Sequence, residues 1–384
     1  MILTKILRLI PICAVIVICS SCSGGQKQDK SVDQADDKED YVSQTPTNFE
    51  VDPRWPKRLP NNWILGDVAG ITTDANDHIW ILQRPGSLHD REKGAMKNPP
   101  EGECCAAAPS VMEFDSEGNL IQAWGNPDTT QRWITMEHGI YVDHQGNVWI
   151  GGAFKDHVVM KLSNNGKLLL KIGEFGKTNG SNDTELLGAP ADFAVDSEAN
   201  EVFIADGYLN RRIIVFDAES GKYKRHWGAY GDVPSDDDLL TYSPDDPPLK
   251  TFRTPVHAIR ISNDNLIYVA DRINNRIQIF NKDGSFVSEK IIAKQTLGAG
   301  SVWDIEVSPD PNQTYMYVAD GMNMKIWILN RSSMEVIGST GYGGRNAGEF
   351  GWVHNVSMDS KGNLYTAEVF PGRRIQKFRP VKNN

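Results

Sequence analysis

Ile204-Ala205-Asp206-Gly207-Tyr208-Leu209-Asn210-Arg211-Arg212-Ile213 and Val269-Ala270-Asp271-Arg272-Ile273-Asn274-Asn275-Arg276-Ile277 are two copies of one pattern. In each, an apolar run ends in Asp, a short link containing Asn follows, and Arg precedes a second apolar run. Short apolar runs bounded by Asp, Gly and Asn read as strands joined by tight turns. The unit recurs six times. Its inner strands open at Val68-Ala69-Gly70-Ile71, Glu137-His138-Gly139-Ile140, Pro190-Ala191-Asp192-Phe193, Val256-His257-Ala258-Ile259, Val302-Trp303-Asp304-Ile305 and Val353-His354-Asn355-Val356.

Aligned positions in successive units lie 46 to 69 residues apart, whereas a four-stranded blade takes roughly 40–45. The excess forms inserts at 85–109, 177–188 and 231–252, long enough to shape a site on one face. No helix-length apolar period follows residue 60. The pattern predicts an all-β chain folded as a six-bladed β-propeller over residues 51–384, and its residues resemble NHL repeats.

The start of the chain reads differently. Lys5 and Arg8 flank an apolar run from Ile6 to Ile18 that is short for a bilayer span, the pattern of an export signal. The run ends in Cys19-Ser20-Ser21-Cys22, which resembles the site where bacterial lipoproteins are cleaved and diacylated, although Cys19 stands where Leu is usual. We therefore expect a signal peptide over 1–21, a lipidated, disordered tether over 22–50, and anchoring to a membrane of the cell envelope through Cys22. A plain secretory signal or an uncleaved anchor is the other reading. The net charge of −10 and the lack of a basic stripe argue against nucleic acid as a partner. Cys104 and Cys105 are the only cysteines after Cys22. They are read as packed thiols, with a vicinal disulfide or soft-metal binding as alternatives.

One register carries chemistry. Across the six units the residue opening the inner strand is Ala69, His138, Ala191, His257, Trp303 and His354, so histidine occupies every second blade. In a closed ring these three side chains converge on the central channel, and three imidazoles with an open fourth position are the donor set of catalytic zinc. The remaining histidines, His78, His89, His144, His157 and His226, fall on turns or outer strands and are read as surface residues.

The segments around His138, Tyr208, His257, Arg272 and His354 resemble the peptidyl-α-hydroxyglycine α-amidating lyase domain over most of residues 65–380. That resemblance implies a zinc held by His138, His257 and His354, Tyr208 as the catalytic base, and Arg84 and Arg272 as anchors for a substrate carboxylate. It also implies a structural calcium in the channel, bound by the carbonyls of Ile71 and Ile140 and by residue 355. There the family has Asp and this chain has Asn355. The family's methionine two residues before the third histidine is Trp352 here. The expected function is cleavage of the C–N bond of a carbinolamide to an amide and glyoxylate, by a monomer acting on a small-molecule or peptide substrate. The alternative is a non-catalytic, envelope-anchored propeller that binds a ligand or a protein.

Overall fold

Successive side chains of a strand point to opposite faces, so strands apolar at consecutive positions, such as Ile79-Trp80-Ile81-Leu82, carry two apolar faces and each sheet must be covered by neighbours on both sides. The computed structural model describes residues 48–125 and 132–381; Cys22 and the expected signal and tether lie outside the described residues. Six four-stranded antiparallel sheets form the blades. Their inner strands are Asp67–Thr73, Glu137–Val142, Asp192–Asp196, Val256–Ile261, Asp304–Val307 and Val353–Met358, for blades 1 to 6.

Blades 1 to 5 each use four strands in chain order. Blade 6 has three, Val353–Met358, Leu364–Glu368 and Arg374–Pro380, and takes Phe49–Val51 from the other end of the chain as its fourth. Phe49 pairs with Pro380 and Val51 with Phe378. Six apolar cores fill the gaps between consecutive blades. Ile213 and Val215 of blade 3 meet Ile259 and Val269 of blade 4, and Tyr365 and Ile375 of blade 6 meet Val68 and Ile79 of blade 1. Each fully buried aliphatic or Phe side chain contributes about 1.5–3 kcal/mol.

The Asp, Asn and Arg of the repeat form a brace. Asp206 accepts from Asn210 at 2.7 Å, Arg212 Nε at 2.9 Å and the Gly188 amide at 2.7 Å. Asp271 accepts from Asn274 at 2.7 Å, Arg276 Nε at 2.8 Å and the Arg253 amide at 3.1 Å. All four charged groups are buried. The brace fixes the loop between the second and third strands and ties it to the segment entering the inner strand. Those loops carry Tyr208 and Arg272.

Two expectations need correction. His157 is buried, at 6% exposure, because it leads directly into the third strand of blade 2, where Asp156 and the blade-3 Asp206 lie close enough to act on its ring. Cys104 and Cys105 are joined as a vicinal disulfide rather than left as thiols; they lie in the 85–109 insert, where the Ala95 amide donates to the Cys105 carbonyl.

Candidate metal centre and active site

Each of the three histidines sits where the pairing register of its inner strand slips. The shifts fall between Glu137 and Ile140, Val256 and Ala258, and Val353 and Asn355. A bulge bends the strand and re-aims the side chain it frees. Here it turns His138, His257 and His354 into the channel, where their nearest ring nitrogens all lie within 4.8 Å of one another. All three are buried.

The intervening blades orient them. His138 Nδ1 faces the Ala191 carbonyl at 2.8 Å and His257 Nδ1 faces the Trp303 carbonyl at 2.5 Å. His354 Nδ1 faces Asn355 Oδ1, with the Ala69 backbone as a further partner. Ala69, Ala191 and Trp303 are the register residues of blades 1, 3 and 5. A carbonyl only accepts, so the proton belongs on Nδ1 and Nε2 is the atom whose lone pair can bind a metal. Gly139 lets this happen in blade 2, since a Cβ there would stand 2.6 Å from the Ala191 carbonyl.

Burial, with positive neighbours adding, keeps the rings neutral. His138 is held well below the ordinary value by burial and then by His354 and Arg84. His257 is likewise held well below it by burial and then by Arg272. His354 is pushed down to about 3 by burial and then by Arg84. His257 Nε2 is buried with no hydrogen-bond partner. An orphaned acceptor among two other imidazoles fits a zinc-like ion.

The Tyr208 hydroxyl lies 2.8 Å from His138 Nε2, and Arg272 Nη1 reaches the same hydroxyl at 3.5 Å. The Arg272 guanidinium lies over the Trp303 ring at 4.4 Å, its Nε is buried without a partner, and burial lowers its pKa. Among the described residues no carboxylate forms an ion pair with it. Arg84 donates from Nε to the Glu137 carbonyl at 2.7 Å and stands 3.9 Å from Asp67. Arg84 and Arg272 occupy the same loop position in blades 1 and 4, on opposite sides of the ring. The structure thus brings Tyr208 and Arg272 into contact with the histidine cluster or its first partner. Trp303 is the residue whose double role the sequence did not reveal: its carbonyl orients His257 and its ring supports Arg272.

The implied calcium set fits less well. Ile71 and Ile140 lie on the inner strands of blades 1 and 2, but the side-chain oxygen of Asn355 is engaged by His354, and its amide donates to Asp304 at 3.2 Å. Deeper in the channel Arg260 pairs with Asp304 at 3.5 Å and Glu306 at 3.8 Å. A hard cation needs several free oxygens, and this channel carries a guanidinium of its own. Asp74, His78 and Glu113 form a second group of metal-type donors. Asp74 is already used by the His78 and Asn76 amides and by Trp80 Nε1, so that group braces a turn.

No family model matches the chain. Peptidyl-glycine alpha-amidating monooxygenase B of Xenopus laevis is 24% identical over 357 residues, which span 90% of this chain and 37% of that protein. Peptidyl-alpha-hydroxyglycine alpha-amidating lyase 1 of Drosophila melanogaster is 24% identical over 84% of this chain and 58% of its own length. NHL repeat-containing protein 3 of Homo sapiens is 25% identical over 87% of this chain and 85% of its own length. The protein is a six-bladed propeller similar to NHL-repeat proteins and to the amidating-lyase domains. Among solved structures, a streptogramin B lyase shares the fold, with a TM-score of 0.53 at 15% identity over 88% of this chain and 100% of that one. The propeller spans well under half of the Xenopus monooxygenase, so that protein's activity comes to it only as a proposal.

Proposed function

We propose that the protein is a metal-dependent carbon–nitrogen lyase that cleaves N-acyl-α-hydroxyglycines to an amide and glyoxylate. One observation carries this reading: Tyr208 stands between a histidine of the cluster, at 2.8 Å, and an arginine with no carboxylate partner, at 3.5 Å. A buried cation without a counter-charge suits a substrate that brings its own carboxylate, and the planar fork of arginine binds one through two hydrogen bonds. His138, His257 and His354 would hold a zinc-like ion, which when bound supplies Lewis acidity toward a substrate oxygen. Tyr208, acting as a phenolate, takes the proton from the substrate hydroxyl as the carbonyl forms and passes it to the departing nitrogen. The C–N bond breaks with its electron pair going to nitrogen, which is protonated to give the amide. Arg272, fixed by Trp303 and by the neighbouring Asp271 brace, holds the carboxylate so that the hydroxyl faces Tyr208.

The test is glyoxylate release from an N-acyl-α-hydroxyglycine by the zinc-loaded protein. Activity should fall by about 10²–10⁴-fold in Tyr208→Phe with metal content unchanged. An inactive parent with full metal would move the function to another substrate. A non-catalytic binding propeller is the second reading, since NHL repeat-containing protein 3 is similar over 87% of this chain; such a scaffold has no need of three histidines whose ring nitrogens meet on one axis. We also propose that Cys22 is lipidated at the cell envelope, so Cys22→Ser should lose lipid labelling and leave the membrane fraction; retention in high salt would contradict it.

A further inference from the structure

Above the polar floor of the site the loops turn apolar. Just past the end of the second strand, by one residue in blade 1 and two in the others, the six blades present Pro85, Phe154, Tyr208, Ile273, Met322 and Phe370. Tyr208 is the one polar member. Phe154 and Phe370 are 47% and 59% exposed. The floor is cationic and metal-binding while the rim is apolar, so the site is matched to a molecule with an anionic end and a greasy end.

Phe154 is the rim residue built most firmly into the site. Its ring centroid lies 4.9 Å from that of Tyr208, tilted by 38°. Its backbone is left-handed, with φ of 53°, a conformation that costs a bulky side chain on the order of 1–3 kcal/mol. The loop is held there by Asp156, which accepts from the Thr135 amide at 2.7 Å and the Met136 amide at 2.8 Å. The fold thus strains its backbone to present a half-exposed aromatic ring beside the proposed base. Trp352 repeats the device in blade 6. It too is left-handed, with φ of 60°, it precedes His354 by two residues, and its ring packs edge-on against Trp303 at 5.4 Å. Two strained aromatics therefore flank the floor, one against Tyr208 and one against the tryptophan that supports Arg272.

We propose that Phe154 and Trp352 are specificity-determining residues that grip an apolar acyl group, so that the favoured substrates are α-hydroxyglycines acylated by an aromatic or branched aliphatic acid. This rests on the lyase reading for its reaction but not for its binding preference. The probes are N-benzoyl-α-hydroxyglycine and N-acetyl-α-hydroxyglycine with the zinc-loaded protein, together with their unreactive counterparts N-benzoylglycine and N-acetylglycine in calorimetry. The parent should favour benzoyl over acetyl by at least about tenfold in kcat/KM and in Kd, within the range an apolar pocket achieves. Phe154→Asn tolerates the left-handed backbone, so it should melt no lower than the parent yet bring both ratios to within about threefold of one. Because the readout is a ratio, any loss common to the two probes cancels. Equal handling of the two probes by the parent, or an unchanged ratio in Phe154→Asn, would overturn the clamp. If neither hydroxyglycine is cleaved the lyase reading fails, and the binding ratios of the unreactive pair still decide the clamp by the same criteria.

Discussion

Blades 2, 4 and 6 differ from blades 1, 3 and 5 by one side chain in one register, and the two sets do different work. The even blades contribute His138, His257 and His354; the odd blades contribute the backbone at Ala69, Ala191 and Trp303 that fixes how those rings point. An imidazole in a channel is a ligand only when its other nitrogen is tied down. The site therefore belongs to the closed ring rather than to any blade, since each histidine is oriented by the next blade around.

That comparison breaks most completely if the ring is opened. Blade 6 supplies His354 but is finished by Phe49–Val51, and the strand removed by deleting residues 371–384 also lends Ile375 to one inter-blade core and Phe378 to the next. The truncated protein should unfold or lose its metal altogether; a truncated form melting like the parent would show that closure does not hold the site. A smaller effect follows from acid. His354 falls from 6.5 to about 3 in the folded protein, so the folded state refuses protons that the unfolded chain accepts. Stability from this group is therefore full above pH 6.5 and is lost progressively as pH falls toward 3. The metal-free protein should melt lower at pH 5 than at pH 8, and the slope should shrink in His354→Gln; an equal slope in both would count against the buried neutral ring. The smallest effect belongs to the other histidine group. His78→Gln, at the Asp74 turn, should change stability by no more than about 0.5 kcal/mol and leave metal content untouched.

The propeller was legible because a repeat announces itself. Spacing, alternation and the Asp–Asn–Arg signature fixed the number of blades, and the structure explains the signature as a buried brace around Asp206 and Asp271. The histidine register was legible for the same reason. What pattern alone hides is local backbone geometry: the bulges that free His138, His257 and His354, and the left-handed φ at Phe154 and Trp352. Nothing in the identity of those residues marks a slipped register or a positive φ. His157 misled because a turn residue is exposed by default, and only the three-dimensional fold buries it near Asp206 of the next blade. For the implied calcium set, the sequence shows Asn355 but not that its oxygen is held by His354.

The proposed activity requires a metal bound where alternate blades meet, which metal content measured by mass spectrometry on purified protein will decide. The parent should carry about one zinc-like ion per chain, His257→Ala should lose most of it, and His226→Ala, on the outer strand of blade 3, should keep it. A metal-free parent, or equal metal in the His257 and His226 variants, would contradict the central claim.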